Sequence, residues 1–214
     1  MIKAILFDLD GTLADTAPDL AFALNQVRKQ QGHAPLPYND IRPWVSQGGL
    51  EMIRRSFGQL TTAKETILWK KLVDIYQHHI ADSTQLFDGM KEVLEHIEQK
   101  QQQWGVVTNK SSHLTDNLMI ALKLQQRSCI TLSGDSLTHK KPHPEPLYHA
   151  CKHMNVHPND CLYIGDALRD IQAGRAAGMQ TVAAAFGYIE AHDDIQQWGA
   201  DYIIEHPLDL LAYI

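Results

Sequence analysis

The sequence predicts an α/β fold in which a parallel, Rossmann-like sheet core is interrupted by an inserted all-helical domain. Three observations carry this expectation. Short apolar runs, rich in Ile, Val or Leu, each end in polar residues or glycine, as buried central strands do. Between the later runs lie stretches with helical spacing, so strand and helix alternate over 86–204, the rhythm of a parallel sheet covered on both faces. Residues 15–85 break that rhythm: they hold amphipathic helical patterns and no convincing strand, far more chain than a crossover of about a dozen residues needs.

Taken in order, Ala4–Phe7 is the first strand. The insert then shows a stripe of Leu20, Ala23, Leu24 and Val27 that ends near Gly32. A second stripe is Leu50, Ile53 and Phe57, and a third is Ile67, Leu68, Leu72, Ile75 and Tyr76. Trp69, with Leu72 and Tyr76, is expected in the core of the insert rather than on a docking face. Met90, Val93, Leu94 and Ile97 mark the helix before the second strand, 104–108. Leu114, Leu118, Ala121 and Leu122 mark the next helix. A strand at 129–132, a helix at 144–154, a strand at 161–164 and a helix at 171–177 follow, the last closed by Gly178, suited to a left-handed stop. Strands at 181–186 and, more weakly, Tyr202–Ile204 complete the set. The division is a core of 1–14 and 86–214 around a helical domain of 15–85. The glutamine-rich 99–103 reads as a solvated helix end.

Composition excludes several functions. With 19 Lys+Arg against 25 Asp+Glu, a net charge of −6 and no basic cluster, a nucleic-acid surface is not expected. No stretch reaches the roughly 18–20 apolar residues of a membrane span, and the N-terminal apolar run is broken by Asp8, too early for a signal peptide. Cys129, Cys151 and Cys161 are odd in number and form no CxxC pair, which fits a reducing compartment. Cys129 and Cys161 sit in apolar runs and are expected to behave as small hydrophobes. The expectation is a soluble, cytoplasmic protein. His149, His153 and His157 are four apart, but Pro158 ends the helix before the third and no Cys or acid completes a zinc set.

Ligands of parallel sheets bind at the carboxyl ends of the strands. Four such ends carry chemistry here: Asp8-Leu9-Asp10-Gly11-Thr12, Thr108-Asn109-Lys110, His139-Lys140-Lys141-Pro142, and Gly165-Asp166 leading to Asp170. Asp10-Gly11 alone reads equally as a turn, and Asp166 alone as a helix N-cap. Together the carboxylates would repel one another and could not all stay ionised unaided. A hard divalent cation removes the conflict, and oxygen-only ligands favour Mg²⁺. A threonine hydroxyl, backbone amides and a lysine supply what phosphate oxygens need.

The run from Asp8 to Thr16, with Thr108, Lys141-Pro142 and Gly165-Asp166 followed by Asp170, resembles the haloacid dehalogenase-like hydrolases in their phosphatase branch, over essentially the whole chain. It is similar to the phosphoglycolate phosphatase type through Trp104–Lys110 in 104–110 and Lys141–Leu147 in 141–147, and also to phosphatases acting on N-acetylmuramic acid 6-phosphate. The resemblance implies that Asp8 is the nucleophile forming an aspartyl-phosphate. It implies that Asp10 protonates the leaving alkoxide and then deprotonates water. It implies Mg²⁺ held by Asp8, the backbone carbonyl of Asp10 and Asp166, with Asp170 as a ligand or just behind one. Thr108, Asn109 and Lys141 would clamp the phosphoryl oxygens, with Lys110 the spare candidate and Lys141 preferred over Lys140 because it precedes the proline. Asp10 argues for a phosphate ester, since a dehalogenase needs no second acid. Ala167 departs from the pattern, where many members carry a polar residue.

The insert looks like that family's helical cap, and the segment with Arg42, Trp44, Ser46, Gln47, Gly48 and Gly49 is expected to face the site and select the substrate. The reading is a Mg²⁺-dependent phosphomonoesterase acting on a small phosphorylated metabolite. A phosphosugar mutase of the same superfamily stays open beside it.

Overall fold

The computed structural model describes residues 2–214. Strand β1 (Ala4–Phe7) is the centre of a six-stranded sheet, and β2 (Ala14–Asp15) leads away from it. Four helices come next: α1 (Ala17–Gln30), α2 (Tyr38–Ile41), α3 (Gly49–Phe57) and α4 (Thr62–His78), with a 3₁₀ turn at Arg42–Gln47. The chain returns through β3 (Gln85–Leu86). It then alternates: α5 (Met90–Gln99), β4 (Gln103–Val107), α6 (Ser112–Ala121), β5 (Thr131–Leu132), α7 (Glu145–Met154), β6 (Cys161–Gly165), α8 (Leu168–Ala177), β7 (Gln180–Ala184) and β8 (Tyr202–Ile204).

The main sheet runs β5-β4-β1-β6-β7-β8, all parallel. Alternation along β1 explains its two faces. Ile5 and Phe7 join Trp104, Val106, Leu162 and Ile164 under α5 and α6. Ala4 and Leu6 join Cys161 and Tyr163 under α7 and α8. Because both faces are covered, the central strands are wholly buried, as their unbroken apolar runs demand.

The insert has its own core, in which Leu20, Leu24 and Val27 of α1 meet Leu68, Leu72 and Tyr76 of α4. Its two ends lie side by side in an antiparallel pair, Ala14 opposite Leu86 and Asp15 opposite Gln85. Buried Asp19 ties them further: its carboxylate accepts from Ser83 N, Thr84 N and Thr84 Oγ1 at 2.7–3.0 Å.

Several expectations need correction. Only Thr131–Leu132 of 129–132 is strand, because this edge strand pairs on one side alone, and Cys129 is exposed rather than core. On α6 the buried face is Leu114, Thr115, Leu118 and Met119, while Ala121 is exposed; the stripe is rotated by a residue. Trp69 is not core. Leu68, Leu72 and Tyr76 repeat every four residues toward α1, and Trp69, one residue further round the helix, is 38% exposed. The short β2–β3 pair has no counterpart in the expectations.

Candidate active site

The carboxyl edge of the sheet collects the charged residues. Asp8 follows β1, and its N–H still extends the ladder to Ile164 O at 2.8 Å. The chain then turns sharply. Gly11 has φ +81°, and a β-carbon there would lie 2.1 Å from Asp166 Oδ2. Glycine is thus required at this position both by the backbone and by the close approach of Asp166. Asp166 leaves the end of β6, is buried, and accepts from Tyr188 N at 2.9 Å. Asp170 lies in the first turn of α8, where its Oδ2 accepts from Ala167 N at 3.1 Å.

Asp8, Asp166 and Asp170 converge, with one oxygen of each within 4.8 Å of the others, all three buried. Burial, then Asp8 and Asp170, push the Asp166 carboxyl up to about 7. Burial also raises Asp170, against the pull of Lys141. Lys141 is buried beside them, its Nζ 2.9 Å from Asp8 Oδ1 and 2.7 Å from Asp170 Oδ1. The same ammonium donates to Val107 O and Tyr163 Oη, both at 2.8 Å. An all-oxygen, buried cluster whose members disfavour one another's charge fits a hard divalent cation.

Asp10 stands on the solvent side of this cluster. Thr16, at the N-cap of α1, gives its hydroxyl to Asp10 Oδ1 at 2.6 Å instead of capping the helix. Lys110 Nζ reaches the same oxygen at 2.8 Å and also donates to Tyr76 Oη at 3.1 Å. Burial disfavours the Lys110 charge, but Asp10 and Tyr76 outweigh it and hold its pKa above the usual lysine range. Burial pushes the Tyr76 hydroxyl up to about 12. Thr108 is buried at the end of β4 and accepts from Lys110 N at 3.2 Å.

A cavity of about 760 Å³ opens above these groups, between the sheet edge and the insert. Asp8, Asp10, Thr108, Asn109, Lys110 and Lys140 form its floor. Leu20, Val45, Leu50, Trp69, Leu72 and Val73 form an apolar wall from the insert. Ser46, Gln47, Gly48 and Gly49 also line it.

Three expected contacts fall elsewhere. Arg42 donates to Gly187 O and Phe186 O, both at 2.9 Å, and lies 5.0 Å from the Tyr188 ring centre. Trp44 packs on the insert's core. The 3₁₀ turn runs from the core loop to the cavity, so only its far end meets the site. Asn109 lines the cavity, but its side chain is committed to Lys141: Nδ2 donates to Lys141 O at 3.0 Å and Oδ1 accepts from Lys141 N at 3.1 Å.

Sequence reasoning passed over three residues. Tyr163 stood inside an apolar strand, where only its hydroxyl, which needs a partner when buried, gave a signal. Tyr188 links Asp166 to the start of the insert, donating to Asp15 Oδ1 at 2.8 Å and accepting from Ala17 N at 2.9 Å. Arg169 lines the cavity from the first turn of α8, where a cation opposes the helix dipole. Burial acts against its charge, and Asp170, Asp8 and Asp166 more than restore it.

The haloacid dehalogenase-like hydrolase profile matches residues 5–184. The chain is 40% identical over 211 residues to the N-acetylmuramic acid 6-phosphate phosphatase of Pseudomonas aeruginosa, covering 98% of this chain and 93% of that one. It is 39% identical over 208 residues to a phosphoglycolate phosphatase of Xanthomonas campestris, covering 97% and 94%. A crystal structure of a predicted phosphoglycolate phosphatase from Haemophilus somnus superposes with a TM-score of 0.89 at 28% identity, over 99% of this chain and 97% of that one.

Proposed function

The chain belongs to the haloacid dehalogenase-like hydrolase family, and from that premise we propose that it is a Mg²⁺-dependent phosphomonoesterase that hydrolyses a small anionic phosphate ester through an aspartyl-phosphate. The observation that carries this reading is the pairing of two differently housed acids at one strand end. Asp8 is buried against Lys141, and Asp10 is partly open to the cavity.

In the proposed reaction an Asp8 carboxylate oxygen attacks phosphorus and the ester P–O bond breaks. Asp10 gives a proton to the departing alkoxide. Asp10 then takes a proton from water as that water attacks the aspartyl-phosphate, releasing inorganic phosphate and restoring Asp8. Thr16 and Lys110 bind the same Asp10 oxygen, which leaves Oδ2 for proton exchange. We assign Thr108 to the phosphoryl oxygens, Lys141 to offsetting negative charge as the phosphoryl group is bound on Asp8, and Asn109 to holding Lys141 in place. Asp8, the Asp10 carbonyl and Asp166 would hold Mg²⁺, with Asp170 a ligand or directly behind. When bound, the ion offsets the repulsion between the carboxylates and an incoming phosphate.

We further assign 15–85 as a cap over a core of 1–14 and 86–214, a reading supported by the adjacent ends at Ala14 and Leu86. We place the enzyme in the cytoplasm, in keeping with three free cysteines. On substrate, 2-phosphoglycolate and N-acetylmuramic acid 6-phosphate both carry a carboxylate in addition to the phosphate, one methylene from the ester oxygen in the first and across the sugar ring in the second. The cavity favours the second as an alternative, because about 760 Å³ with an apolar wall is far more than a two-carbon acid occupies.

The test is a panel of phosphate esters with and without Mg²⁺, read as inorganic phosphate. Metal-dependent release by the wild type and loss in Asp8→Asn are expected. Equal rates for the two proteins on every ester would sink the proposal, and rearrangement of phosphate without release would favour a mutase.

A further inference from the structure

We propose that Arg169 reads a second anionic group of the substrate, a carboxylate carried beside the phosphate. The inference rests on the phosphatase reading above and adds to it a specificity-determining residue.

Arg169 sits between Asp166 and Asp170 in sequence, yet among the described residues it forms no ion pair with Asp8, Asp166 or Asp170 within 4.0 Å. Lys141 is the cation in contact with Asp8 and Asp170. The Arg169 guanidinium instead points to the boundary between core and insert, where Nη2 donates to Ser46 Oγ at 3.2 Å. Its Nε is buried and has no partner among the described residues. A guanidinium offers five N–H donors. One hydrogen bond to a neutral hydroxyl leaves most of that capacity unused, and the nearby acids act on its charge only through space. A buried donor without a partner calls for an explanation, and an acceptor brought by a ligand supplies one here.

The position fits such a ligand. Arg169 lines the same cavity as Asp8 and Asp10, so a group held there remains within one small molecule's reach of the phosphoryl site. A carboxylate has the planar, two-oxygen geometry that a guanidinium fork matches. Ser46, at the cavity end of the 3₁₀ turn, accepts from Nη2 of the fork, so recognition involves both the core and the insert. A structural role in neutralising the acids predicts a different outcome: removal of Arg169 would then affect every ester alike.

Two matched pairs separate the outcomes. 2-Phosphoglycolate and 2-hydroxyethyl phosphate differ in the carboxylate alone, and N-acetylmuramic acid 6-phosphate differs from N-acetylglucosamine 6-phosphate by its carboxylate-bearing ether. In Arg169→Ala, KM for the carboxylate ester of the productive pair is expected to rise roughly 10- to 100-fold, the scale of a lost charged hydrogen bond, with KM for its partner nearly unchanged. Arg169→Lys should recover part of the loss, and Ser46→Ala should shift KM the same way by less. Calorimetric binding of the same esters to Asp8→Asn, with and without Arg169→Ala, reads the contact without turnover. Arg169→Gln replaces the alanine variant if that does not fold. Equal losses on both members of a pair, or no selective loss in either pair, overturn the proposal. A wild type that hydrolyses none of the esters sinks the phosphatase reading instead, and the binding ratios still decide Arg169.

Discussion

Lys110 Nζ lies 2.8 Å from Asp10 Oδ1, a pair formed by residues 100 positions apart in sequence. The lysine also bonds Tyr76 of α4, so one side chain joins Asp10 to the insert. Lys110→Met should therefore reduce kcat roughly 10- to 100-fold, within the range of general acid–base effects, and move KM far less. Lys110→Arg should fall between. Steady-state kinetics decides; an unchanged kcat means the pair plays no part in the proton transfers.

Asp166 yields a pH prediction. Burial with Asp8 and Asp170 pushes it up to about 7 from an ordinary 3.8. A carboxyl raised in the folded state contributes stability that is full below its unfolded value and is lost as pH rises through the folded one. Without metal, the melting temperature of the wild type relative to Asp166→Asn should fall between about pH 4 and about pH 7. Mg²⁺ should reverse that fall, because a bound cation favours the charged carboxylates. A flat difference across this range in chelator would contradict the assignment.

Asp19 is a structural acid, not a chemical one. Three donors from Ser83 and Thr84 converge on it where the insert rejoins the core. Asp19→Ala leaves those donors unmatched and should cost roughly 2–4 kcal/mol, measured by urea unfolding. Asp19→Asn should cost less, since it keeps one acceptor oxygen. A loss under about 0.5 kcal/mol would show that water replaces the carboxylate without penalty.

Trp69 tests the size of the substrate. Its ring is part of the cavity wall contributed by the insert. Trp69→Ala should raise KM for a sugar phosphate about 10-fold, in line with the loss of apolar contact area, and leave 2-phosphoglycolate little changed. The reverse pattern would favour the smaller ester.

Much of this was legible in the sequence because the relevant physics is local. Buried strands carry unbroken apolar runs, and a strand that ends in Asp, Gly or Thr announces where ligands bind. Asp8, Asp10, Thr108, Lys141, Asp166 and Asp170 all stand out in the sequence in this way, and the structure brings them to one edge of the sheet. What stayed hidden depends on contacts distant in sequence. Asn109 lines the cavity but gives its amide to Lys141, Arg42 turns to Phe186 and Gly187, and Tyr163 meets Lys141 across two strands. Trp69 was misread because one step round a helix separates core from cavity, and helical spacing alone fixes the direction of a stripe poorly.

The β2–β3 pair has an evolutionary consequence. Since the insert departs at Ala14 and returns at Leu86, opposite each other, its two ends are already in register whatever lies between them. A segment joined in this way behaves as a cassette: it can lengthen, shrink or be exchanged while the strand ladder beneath keeps its pairing. The clustered acids Asp8, Asp166 and Asp170 lie at the carboxyl edge of the ladder, and most of the cavity wall belongs to the cassette. New specificities can thus arise by rewriting one continuous stretch of the gene, with the reaction itself inherited unchanged.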